Sequence, residues 1–155
     1  MIYTPPNKTA APKNAAIFLA GSIEMGAAKK WQDVVAKAAQ AQNSKIDIYN
    51  PRRDDWDSSW EQKIENKKFN EQVTWELDHI YLANIMFFYF DPATKSPISL
   101  MELGLVAGMA THEAIIVICP EGFWRKGNVD ILCERAKITQ MPTLAAGIKE
   151  LLELI

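Results

Sequence analysis

Three unbroken apolar runs punctuate this chain: AAIFLA at 15–20, IMFFYF at 85–90 and AIIVIC at 114–119. Runs of that length, rich in branched and aromatic side chains, predict strands covered on both faces. A shorter run, 46–49 (IDIY), predicts another strand. Between them the apolar positions recur every three or four residues, the helical period. A first helix is expected over 27–41, with Trp31, Val34, Val35 and Ala38 on one face. A second begins after Glu61 and continues through Val73, Leu77, Ile80 and Tyr81 to about Asn84. A third runs from the Ser96-Pro97 approach to about Ala110, a fourth covers 129–135 and a last 144–155. A short strand is expected at 137–139. Residues 1–14, polar and proline-rich, are expected to be a loose arm, and 15–155 a single domain.

Strands alternating with helices predict an α/β architecture: a parallel sheet between two helical layers. Five strands suit a flavodoxin-like, Rossmann-like three-layer sandwich, whose switch point lies between the first and third strands. Ligands in such folds sit beyond the carboxyl ends of the strands at the switch point, so the loops after 15–20 and 85–90 should border one crevice. The loop NPRRDDWDSSW at 50–60 is longer than most connections and is a candidate functional segment.

Composition narrows the function. With 17 basic and 19 acidic residues the net charge is −2, and no basic stripe marks a nucleic-acid polymer as partner. No apolar run approaches the ~20 residues of a membrane span. The two cysteines, Cys119 and Cys133, form no CxxC and suit buried apolar positions in a reducing cytoplasm. His79 and His112 lack carboxylate or thiolate partners at metal-ligand spacing, so neither a metal nor another cofactor is expected.

The chemistry-bearing candidate is Glu102, the one charged residue from Leu100 to Ala110. Two readings stay open. Ser99-Leu100-Met101-Glu102 fits the capping box S-x-x-E, in which the glutamate closes a helix start. Alternatively, Glu102 faces the crevice as a reactive carboxylate. At the same edge, Gly21 and Ser22 enter a helix start, where free amides and a hydroxyl can hold an anion, although Glu24 would oppose one. Tyr49, Asn50 and Arg52 follow the second strand with Trp56 beyond, and such residues stack on or pair with a planar base. The second helix adds Glu76, Asp78 and His79. Without a Ser-His-Asp set, a redox pair or a metal set, the available chemistry is that of two carboxyl groups. One attacks a sugar's anomeric carbon and the other protonates the leaving group.

These residues resemble a family. IFLAGSI, the helix ending in LANI, the segment from Ser96 to Gly104 with its E-L-G, and GNVDILCERAKI look like the nucleoside 2-deoxyribosyltransferases and the related 2'-deoxynucleoside 5'-monophosphate N-glycosidases. The resemblance implies that Glu102 is the nucleophile that takes the deoxyribosyl group. It implies a second acid at Glu76, by the spacing of the transferases, or at Asp78, by that of the nucleotide hydrolases. Ser96 stands where transferases carry an aspartate on the sugar hydroxyl and hydrolases a serine facing the 5'-phosphate. Two departures exist: the hydrolases' phosphate-binding arginine falls on Glu24, and the transferases' tyrosine beside the nucleophile falls on Phe18. Asn128 matches a residue that reaches the substrate of a neighbouring subunit, which implies a homo-oligomer, at least a dimer, with a shared site. The function so implied is cleavage or exchange of the N-glycosidic bond of a deoxynucleoside or its monophosphate. The rival is a module that binds or senses a nucleotide without cleaving it.

Overall fold

A computed structural model describes the chain except for residues 8–11, 13, 24–28, 54–56, 58 and 110. Glu24 and Trp56 lie outside the described residues. In chain order the elements are β1 (Ile2–Tyr3), β2 (Ala16–Gly21), α1 (Trp31–Gln42), β3 (Asp47–Tyr49), α2 (Lys67–Leu82), β4 (Ile85–Tyr89), α3 (Pro97–Met109), β5 (Ala114–Ile118), α4 (Lys126–Ala136), β6 (Thr139–Met141) and α5 (Leu144–Leu154). The sheet is parallel throughout, in the order β1-β3-β2-β4-β5-β6.

The expected three-layer α/β sandwich is therefore present, with six strands rather than five. The extra strand comes from the segment expected to be a loose arm. Ile2 and Tyr3 pair with Ile48 and Tyr49, and the terminal ammonium bonds the Ile46 carbonyl at 2.7 Å and the Asp47 carboxylate at 3.1 Å. Two residues carry too little periodicity to announce a strand; the pairing partner, not the local sequence, makes this one.

Alternation along the central strands separates two cores. Phe18, Ala20, Met86, Phe88 and Val117 pack with Trp75, Leu103 and Val129 under α2, α3 and α4. Ile17, Leu19, Phe87, Ile116 and Ile118 pack with Trp31, Val35 and Leu151 under α1 and α5. Fully burying each large apolar side chain contributes about 1.5–3 kcal/mol, which fixes the register because a one-residue slip would exchange the two faces. The inward face of α1 differs from the expected one: Gln32, Val35, Ala36 and Ala39 are buried with Trp31, whereas Val34 is 55% exposed. Tyr81 of α2 likewise points outward, and Gln72, Trp75, His79 and Ile80 form its buried side. β6 begins two residues later than expected.

The chain leaves β2 toward β3 on one side and returns through β4 on the other, so the switch point lies between β2 and β4. Both strands end at one level, with Gly21 opposite Tyr89.

Candidate active site at the switch point

Gly21 ends β2 with φ +142°, and a Cβ there would come within 2.2 Å of the Tyr89 carbonyl oxygen. Only glycine allows so close a crossing of the two strands. The following amide, that of Ser22, donates to that same Tyr89 oxygen at 2.9 Å, and the Trp31 indole donates to the Ser22 carbonyl at 2.9 Å. Ser22 is thereby held fully buried, with its hydroxyl aimed at the loop after β4.

That loop is built to meet it. Asp91 accepts the Ala93 amide on its carboxylate and the Thr94 amide on its carbonyl, which curls residues 91–94 into a turn. Ser96 then takes φ +46°, a left-handed conformation that costs a non-glycine residue energy, most of all before a proline. Pro97 supplies the pre-set first position of α3. The result is a cluster of three buried hydroxyls: Ser22 to Thr94 at 2.6 Å, Ser22 to Ser96 at 2.8 Å and Thr94 to Ser96 at 2.9 Å. The Asp91 amide also donates to the Ser22 hydroxyl at 2.8 Å. Thr94 had no sequence signal, since one threonine in a polar loop looks like any other.

The capping-box reading of Glu102 fails. Because α3 starts at Pro97, Ser99 already lies inside its first turn, and its hydroxyl donates to the Gly21 carbonyl at 2.9 Å. Glu102 sits near the end of the second turn, too far along to reach an N-cap amide. It is buried, 6% exposed, among the apolar residues of α3. Burial pushes its carboxyl well above the usual range, and the charge of Glu76 pushes it further. Glu76, on α2, is itself raised to about 7 by burial, against a hydrogen bond from Gln72 that favours its charged form. The carboxyl groups of Glu102, buried on α3, and Glu76, half-buried on α2, are thus electrostatically coupled.

Asp78 goes elsewhere. Two residues along a helix is about 200° around it, and Asp78 is exposed, lining a groove of about 650 Å³ on the outside of α2 with Lys67, Asn70 and Thr74. His79 is buried, its Nδ1–H donating to the Trp75 carbonyl at 2.6 Å, and its ring stacks on Trp75 at 3.9 Å. Burial lowers its pKa, so it is a neutral packing residue.

On the expected base side, Tyr49 is fully buried, edge-on to His79 at 4.6 Å and to Trp75 at 6.5 Å. Asn50 accepts the Arg52 amide on its side-chain oxygen at 3.1 Å, and the Arg52 guanidinium donates to the Lys29 carbonyl at 3.3 Å. These three residues fasten the loop after β3. Arg53 and Gln72 were not singled out from the sequence; they connect that loop to Glu76. Phe18 is fully buried against Trp75 at 6.4 Å. Asn128 is exposed in the first turn of α4, in a cleft of about 490 Å³ with Leu100 and Leu103 of α3 and Arg125, Val129 and Leu132.

A family model described as "Nucleoside 2-deoxyribosyltransferase like" matches residues 14–123. The chain belongs to the nucleoside 2-deoxyribosyltransferase-like family. The matched span carries Gly21, Ser22, the loop after β3, Glu76, Ser96 and Glu102; Asn128 lies just beyond it. Among solved structures, a conserved protein from Enterococcus faecalis V583 superposes with a TM-score of 0.64 at 10% identity, over 91% of this chain and 99% of that one. At that identity the likeness speaks for the fold alone. No curated protein matches the chain. Among the described residues, no group of His, Cys, Asp and Glu is placed to hold a metal ion, and no helix is long and apolar enough to cross a membrane.

Proposed function

We propose that the protein breaks the N-glycosidic bond of a 2'-deoxynucleoside or its 5'-monophosphate by retaining chemistry, with Glu102 as nucleophile and Glu76 as the proton carrier. The observation that supports this reading is the pairing of a buried carboxyl, Glu102, with a half-buried one, Glu76, each raised by loss of solvation and Glu102 raised further by the charge of Glu76. Such a pair holds on to one proton near neutral pH, because two coupled, poorly solvated carboxyls cannot both ionise cheaply. One carboxylate and one carboxylic acid is what the reaction requires.

In the first step the C1'–N bond breaks and its electrons pass to the base, which takes the proton from Glu76. An oxygen of Glu102 bonds to C1' as the sugar's positive charge develops, and that charge favours the ionised form of Glu102 over the free-enzyme balance. In the second step water or another base attacks C1', its proton returns to Glu76, and Glu102 leaves with net retention. Ser22 and Ser96 hold the 5' end, and the cluster they form with Thr94 offers hydroxyls that satisfy one another until a ligand oxygen replaces one of them. Asn50 and Arg52 border the base, with Tyr49 packed behind them as the support of that loop. Asn128, in its open cleft, completes the site of a second copy in a homo-oligomer, an arrangement favoured by the apolar face beside it: Ile98 and Met101 of α3 are 55% and 60% exposed, and Ile131 of α4 is 68% exposed.

The test is chromatographic detection of free base after incubation with deoxynucleosides and their 5'-monophosphates, each with and without a second base. Release from monophosphates alone gives Ser96 a phosphate role. A new nucleoside formed only with added base marks a transferase. The absence of the aromatic hydroxyl at Phe18 favours the alternative, a nucleotide-binding or sensing module, and tight binding with no release from any substrate would establish it.

A further inference from the structure

Gln72 lies on the buried side of α2, 3% exposed, one turn before Glu76. Its amide nitrogen donates to Glu76 Oε1 at 2.7 Å and to the Pro51 carbonyl at 3.1 Å. Its amide oxygen lies 3.5 Å from Arg53 Nη1. A carbonyl can only accept and a guanidinium can only donate. Pro51 and Arg53 therefore fix which way round the Gln72 amide stands, and its N–H must face Glu76. The oxygen of Glu76 that receives it has to act as an acceptor whether or not the carboxyl is protonated.

We infer that Gln72 is a positioning residue: it keeps Oε1 of Glu76 a permanent acceptor, confines the titrating proton to Oε2, and anchors that arrangement to the loop after β3. The inference rests on the reading of Glu76 as proton carrier. A carboxyl group that could rotate or carry its proton on either oxygen would present the leaving base with a donor only part of the time. Held from one side by Gln72, Glu76 has one oxygen to give and one to be held by. Among the described residues, the charged groups around it are Glu102 from α3, whose own carboxyl is raised by the charge of Glu76, and Arg53 from the loop, which acts on it through Gln72; Arg52 is turned to the Lys29 carbonyl, and Asp78 and His79 on α2 itself lie two and three residues further along.

The experiment is a carbon-13 NMR titration of protein labelled at the glutamate side-chain carboxyls, with the Glu76 signal assigned by its loss in Glu76→Gln. The parent is expected to titrate well above the usual carboxylate range, pushed up by burial to about 7. Gln72→Met removes the donor, and Gln72→Asn, too short to span Glu76 and Pro51, does so while keeping an amide should the first variant fail to fold. A hydrogen bond to a charged acceptor is worth enough that its loss raises the midpoint by about one pH unit or more. In the active enzyme the alkaline limb of kcat moves up by the same amount. A midpoint that stays in place or falls overturns the inference and leaves Gln72 a packing residue. The titration is read without substrate, so the absence of base release from the parent would count against the glycosyl-transfer reading and leave this result intact.

Discussion

At the level of single residues, the carboxyl groups of Glu102 and Glu76 are both drawn away from water, the first almost fully and the second in part. Raising a carboxyl pKa in the folded state makes the native protein bind more protons than the unfolded chain above pH 4.5, so stability falls as pH rises through that interval and levels off above the folded pKa. For Glu76 the window runs from about 4.5 to about 7. Glu76→Gln keeps an oxygen for the Gln72 N–H and removes the titration. It is expected to match the parent in urea denaturation at pH 4.5 and to exceed it by about 3 kcal/mol at pH 8. Equal stability at pH 8 would mean that the pair is better solvated than its burial indicates. Gly21 has the opposite character. A methyl group there meets the Tyr89 backbone, so Gly21→Ala is expected to lose at least about 3 kcal/mol and to be detected as a lowered thermal midpoint.

At the scale of elements, the apolar runs revealed the strands because a doubly covered strand needs little else to identify it. β2, β4 and β5 fall within one residue of their expected ends. Tertiary contacts decided the rest. β1 exists only through Ile48 and Tyr49, and the face of α1 turned because Gln32 is buried although glutamine is usually read as a solvent-facing residue. The S-x-x-E spacing looked like a cap until Pro97 moved the helix start and Ser99 was drawn to the Gly21 carbonyl. Glu102 could be singled out from the sequence because a lone charge in an apolar helix has few explanations. Choosing Glu76 over Asp78 required the rotation of α2, and the hydroxyl cluster required both loops at once.

At the scale of the whole molecule, α3 is almost entirely apolar, and such a helix is normally covered all round. Its inner side meets the sheet through Leu103 and Val106, while Ile98 and Met101 are exposed, as is Ile131 of the adjoining α4. A second copy seated there would cover this face and bring Asn128 to a neighbouring site. Met101→Glu combined with Ile131→Glu is expected to yield a monomer by light scattering, with the fold retained and base release reduced at least tenfold, since each site then lacks its neighbour's contribution. An unchanged mass would remove this face as an interface.

The central claim is the covalent bond between C1' and Glu102, and the direct measurement is intact-protein mass spectrometry after rapid acid quench of the enzyme with a cleavable deoxynucleoside or deoxynucleoside monophosphate. Glycosyl transfer to Glu102 gives a mass gain equal to the sugar moiety, mapped by proteolysis to the peptide containing Glu102. The gain is absent in Glu102→Gln, which also loses base release by at least about a thousandfold. Base release that continues undiminished in Glu102→Gln, or an adduct on a different side chain, would contradict the claim.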